Sequence, residues 1–151
     1  MSRGPGKLQR WLRSVIYQHG RPMTFEDIRA VIRQEIAAEP DADQRSSLEY
    51  RVGRPAFQRS LRRALHSLVR SGELMALGDG GRSDPYRYFF HPVVIYLMHD
   101  QALQDAFDAD PGAKEAERRE AAKLAEGIAR ASADLARMSA EAPKASDYSN
   151  L

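Results

Sequence analysis

Arg59, Arg62, Arg63, His66 and Arg70 recur along PAFQRSLRRALHSLVRSG, residues 55–72. At 100° per residue these side chains fall on one side of a helix, while Phe57, Leu61, Ala64, Leu65 and Leu68 fall on the other. The apolar side suits a core. The cationic side has no carboxylate to neutralise it, and planar guanidinium forks match the phosphate oxygens and guanine edges of a DNA major groove. The chemistry suggested is therefore recognition of a polyanion. The competing reading is a solvated face on an ordinary amphipathic helix.

Other constellations point away from catalysis. GDGGRSDP, residues 78–85, is rich in glycine, but no helix starts directly after it and no Lys-Ser or Lys-Thr follows. A hairpin loop fits that context better than a phosphate cradle. His19, His66, His91 and His99 lack the spacing of a helical metal site, and cysteine is absent, so a zinc centre, a disulfide framework and a thiol nucleophile are not expected. The expectation is a protein that is not an enzyme and carries no cofactor.

The elements that would position the arginine face follow from periodicity. Leu8, Trp11, Leu12, Val15 and Ile16 predict an amphipathic helix over 7–19 that stops at Gly20. Thr24 reads as the N-cap of a second helix, with Glu26 and Asp27 in its first turn, Met23 and Ile28 as a hydrophobic staple, and an end near Ala38. Residues 39–54 are polar and yield no assigned element; SSLEYRV there reads as a helical turn or a short strand. Pro55 suits the first turn of the arginine helix. Beyond Gly72 the period changes to alternation: Leu74 and Ala76, then Tyr86, Tyr88 and Phe90, predict a hairpin around 78–85 with Arg82 near its tip.

Three amphipathic helices followed by a hairpin with a basic tip is an order that resembles the winged helix-turn-helix superfamily. The likeness covers about residues 7–92 and rests mainly on RSLRRALHSLVRSGEL (59–74) and YRYFF (86–90). The resemblance implies a mainly α fold with a small β-hairpin, an α+β class. It also implies that helix 55–71 enters the major groove, with Arg59, Arg62, Arg63 and His66 nearest the bases or phosphates and Arg82 on the adjacent backbone or minor groove. Arg54, Arg62, Arg70 and Arg87 are the expected phosphate contacts. One departure is the connection before the arginine helix, which is longer than the usual tight turn. Sequence-specific binding of double-stranded DNA in transcriptional regulation is the expected role. The alternative is a winged-helix protein-interaction module in a larger nucleic-acid-processing or chromosome-associated complex.

The charge distribution agrees with a binding head and a separate extension. Residues 1–99 hold 16 Lys and Arg against 10 Asp and Glu, whereas residues 100–151 hold 7 against 11, so a net +6 precedes a net −4. The apolar run Val93–Met98 reads as a buried strand or the start of a fourth helix. Asp110 and Pro111 read as an N-cap and first-turn proline, and residues 112–140 are dense in helix formers. There Leu124, Ile128, Ala131, Leu135 and Met138 are spaced 4, 3, 4, 3, a stripe of a little over two heptads. A dimerisation helix is the favoured reading, and a strut folded back on its own domain the other. The expected organisation is a winged-helix domain at 1–99, a helical extension at 100–140 and a disordered tail at 141–151. The basic start leads into an amphipathic segment unlike a signal peptide or membrane span, so no membrane partner and a reducing cytoplasm are expected.

Overall fold

The computed structural model describes residues 5–141. The protein is mainly helical with one small antiparallel sheet, an α+β arrangement. In chain order the elements are α1 (Pro5–His19), β1 (Met23–Thr24), α2 (Phe25–Ala37), α3 (Ala42–Gly53), α4 (Pro55–Arg70), β2 (Leu74–Leu77), β3 (Arg87–Phe90), α5 (Pro92–Met98), α6 (Gln101–Ala109) and α7 (Ala113–Glu141).

The stripe expected on α1 faces inward, with Leu12, Val15 and Ile16 buried and Leu8 and Trp11 packed at the edge of the same core. Gly20 ends the helix with φ +62, a left-handed conformation that costs glycine little, and its N–H reaches the Ile16 carbonyl at 3.0 Å. Thr24 caps α2 in a full capping box. Its hydroxyl accepts from the Asp27 N–H and its own N–H donates to the Asp27 carboxylate, both at 3.0 Å. Burial opposes ionisation of Asp27, but the Thr24 N–H and the Arg21 and Thr24 side chains outweigh it and hold the carboxyl below its ordinary value. Met23 and Ile28, which flank the cap, are both fully buried.

The polar connection at 39–54 contains a helix that the periodicity did not reveal. α3 is capped by Asp41, whose carboxylate accepts from the Asp43 and Gln44 N–H groups at 2.9 and 3.2 Å, but none of its residues is buried. Only Arg45, Leu48 and Val52 are half-buried, a thin i, i+3, i+7 line. Tyr50 points outward. The arginine helix is consequently the fourth helix. A single residue, Arg54, closes α3 and opens α4.

The expected hairpin is present, with Leu74 opposite Phe90 and Leu77 opposite Arg87. A third strand joins it: Met23 and Thr24 pair with Tyr88 and Arg87, giving the order β1-β3-β2. Phe89, at the centre, is completely buried, and α4 packs against both α1 and β2.

The stretch after the sheet follows one of its two sequence readings in part. Val93–Met98 is helical and not a strand, but it lies in the fifth helix, α5, and there only Ile95 is buried. His99, in the left-handed region at φ 52, separates α5 from α6. Asp110 closes α6, and α7 starts at Ala113 instead of next to the Asp110–Pro111 pair. The first compact unit also extends past the expected boundary at 99. Leu103 and Phe107 of α6, with Ala113 and Ala116, complete the same core, and the unit ends at Ala116.

A second unit begins at Glu117, and its described residues, 117–141, are helical. Leu124, Ile128, Leu135 and Met138 are 65%, 58%, 66% and 63% exposed, and Ala131 is exposed as well. Glu126 and Arg130, one turn apart on this helix, pair at 2.9 Å. Of the disordered tail expected at 141–151, Glu141 is the last residue of α7, and residues 142–151 lie outside the described residues.

Candidate nucleic-acid interface

α4 presents the two faces expected of it. Leu61, Ala64, Leu65 and Leu68 are buried, and Arg59, Arg62, Arg63, His66 and Arg70 are exposed. Among the described residues none of these five cationic or titratable groups pairs with a carboxylate. Elsewhere the protein pairs its arginines readily: Arg13 with Glu73, Arg21 with Asp27, and Arg29 with Glu26, at 2.7, 3.3 and 2.8 Å. The outer face of α4 is thus a concentration of positive charge with its donors left to solvent.

Two of the expected contact residues rest on aromatic rings. The Arg62 guanidinium lies 4.0 Å above the ring of Phe25, the first residue of α2, in cation–π geometry. That contact steers Arg62 toward the α2 end of the face. Arg54 lies 5.7 Å from the ring of Tyr50, which is 72% exposed. The Arg62–Phe25 platform is not legible in sequence, because it joins α4 to a ring on α2, whereas Arg54 caps the helix that carries Tyr50 four residues earlier.

The hairpin loop holds itself in shape. The Asp79 N–H donates to the Asp84 carboxylate at 3.1 Å, the Gly81 N–H to the Asp79 carboxylate at 2.7 Å, and the Gly80 N–H to the Asp84 carbonyl at 3.0 Å. Gly80 has φ +84 and lies so close to the Tyr86 ring that an added Cβ would come within 2.5 Å. Arg82 is exposed near the tip, with no hydrogen bond or ion pair among the described residues.

Arg87, expected on phosphate, is placed otherwise. Its Nε and Nη2 donate to the two Asp110 oxygens at 2.7 and 2.9 Å, and its Nη1 donates to Asp84 at 2.7 Å and to the Pro85 carbonyl at 3.0 Å. The side chain is 18% exposed and that of Asp110 only 5%. Bonds to Asp110 and then to Asp84 raise its already high pKa. Most of its donor capacity is thus committed inside the fold, and Arg87 ties the base of the hairpin to the α6–α7 junction. Its partner lies 23 residues away, too far for local reading.

The histidines are dispersed: the His91 ring accepts from the Val93 N–H at the start of α5, and the His19 Nδ1 lies 2.9 Å from the Val15 carbonyl. No cluster of three or more potential metal ligands occurs among the described residues. An open cleft of about 350 Å³ lies between α2, α3 and α4, floored by Ile32, Ile36, Val52 and Phe57. No helix among the described residues is long and apolar enough to cross a membrane. No protein-family model, curated protein or solved structure matches the chain.

Proposed function

We propose that this protein is a sequence-specific DNA-binding protein of winged-helix type, acting in transcriptional regulation. In this reading α4 enters the major groove of double-stranded DNA and the wing at 78–85 meets the adjacent backbone or minor groove. The carrying observation is the outer face of α4, with five exposed basic or titratable side chains that have no carboxylate partner among the described residues. The hairpin behind α4 supports it, because β2 packs against that helix and the loop that follows carries an uncommitted Arg82. Arg54, Arg62 and Arg70 supply phosphate contacts and register, while Arg59, Arg63 and His66 face base edges. Arg87 holds the hairpin in position instead of contacting DNA.

The exposed stripe of α7 supports a homodimer as the binding species. Twofold symmetry would then require a pseudo-palindromic site with half-sites about one or two helical turns apart.

Fluorescence anisotropy on a mixed-sequence duplex, titrated at two salt concentrations, tests the DNA reading. The affinity should fall steeply with salt, since each phosphate contact releases condensed counterions. Absence of binding at low salt would refute it.

A further inference from the structure

We propose that two copies of this chain pair by reciprocal exchange, with α7 of each seated on α5 of the other. The proposal rests on the homodimer reading above and specifies the surface that α7 meets.

α5 is the one helix among the described residues without a charged side chain. Beyond Ile95, which anchors it to the core, it turns four large apolar side chains outward: Val93, Tyr96, Leu97 and Met98 are 58%, 73%, 68% and 40% exposed. A contiguous apolar patch of this kind marks an interaction surface, since water is a poor partner for it. The other group of exposed large hydrophobics is the α7 stripe of Leu124, Ile128, Leu135 and Met138.

Area and length decide how they combine. Aromatic side chains bury roughly 150–250 Å² when fully covered and aliphatic ones less, so at these exposures each patch offers at most on the order of 400 Å². A specific interface takes about 800 Å² from each partner. Pairing α7 with α7 alone uses half of what each copy needs. It would also be a coiled coil of little more than two heptads with Ala131 at its centre, less than the three to four heptads that normally sustain one. Pairing α5 with α5 alone has the same shortfall over only seven residues. Exchange uses both patches of both copies, approaches the roughly 800 Å² per partner of a specific interface and closes under twofold symmetry.

A complementation experiment on the full chain separates exchange from self-pairing. Leu97→Asp spoils α5 and Leu135→Asp spoils α7. Both positions are solvent-exposed, and circular dichroism of each variant verifies the fold. Sedimentation velocity should give a dimer for the unmodified chain and at least roughly tenfold weaker association for each variant alone. When the variants are mixed, the intact α5 of the Leu135→Asp chain meets the intact α7 of the Leu97→Asp chain. One of the two contacts is restored and a heterodimer should form. Self-pairing of like helices restores none, because every such contact contains a damaged member. A mixture that stays monomeric, or a Leu97→Asp chain that dimerises as tightly as the original, overturns the exchange. A monomeric unmodified chain overturns the dimer reading itself, whereas DNA binding by α4 is read separately in the salt titration.

Discussion

Arg82 and Arg87 stand five residues apart on one hairpin, and the structure gives them opposite situations. Arg82, near the tip, has no partner among the described residues; Arg87, at the base, spends four hydrogen bonds on Asp110, Asp84 and a carbonyl. The same contrast separates Arg59 and Arg63 on α4 from Arg13, Arg21 and Arg29, each of which holds a carboxylate. Residue type alone does not distinguish an arginine that maintains the fold from one available to a ligand. What distinguishes them is whether an acid was placed within reach.

That contrast can be broken most decisively at its extremes. Replacing Arg87 with alanine leaves the 5%-exposed Asp110 without its bidentate partner, a loss of about 3 kcal/mol measurable by chemical denaturation. Replacing Arg82 in the same way should change stability by less than about 0.5 kcal/mol, with its effect confined to DNA affinity. Equal destabilisation by both would erase the distinction. Next in size, Arg59→Ala with Arg63→Ala should leave the thermal midpoint nearly unchanged but weaken duplex binding by roughly 10- to 100-fold and lower the salt slope by about two.

A smaller effect is expected at Phe25. Leucine there keeps the apolar contact with the core but removes the ring beneath Arg62, so affinity for DNA should fall a few-fold with little change in folding. The smallest concerns the α2 cap. Thr24→Ala should cost about 1 kcal/mol in urea denaturation. Because Asp27 is more acidic folded than unfolded, its share of the stability is complete above its ordinary pKa of 3.8. That share is lost as pH falls through the depressed folded value. Asp27→Asn should flatten this acid limb, and an unchanged limb would place the pH dependence elsewhere.

Legibility in the sequence followed contrast between faces. α1, α2 and α4 were evident because each joins a continuous apolar stripe to a polar side, and the Gly20 and Gly72 stops and the Thr24 cap are local chemistry. α3 was missed because a helix that buries nothing leaves almost no periodic signal, only the thin line of Arg45, Leu48 and Val52. β1 has two residues, and only pairing with β3 defines it as a strand. α5 is a helix, one of the two readings of Val93–Met98, but its apolar composition suggests burial and the fold leaves most of that surface uncovered. The cationic residues of the candidate interface were all visible, but the partners that decide their availability were not: Phe25 and Asp110 lie 37 and 23 residues from the arginines they hold.

The most direct test of the central claim holds charge constant and varies only its place. Arg59→Ala/Arg63→Ala and Arg21→Ala/Arg29→Ala each remove two positive charges, the first pair on α4 without an acid partner among the described residues and the second pair engaged with acids at α2. Their affinities for one duplex, measured by anisotropy at the same salt, should diverge, with a strong loss for the α4 variant and nearly wild-type binding for the other. Equal losses would mean that DNA responds only to the net charge of the protein, and the assignment of the α4 face would fail.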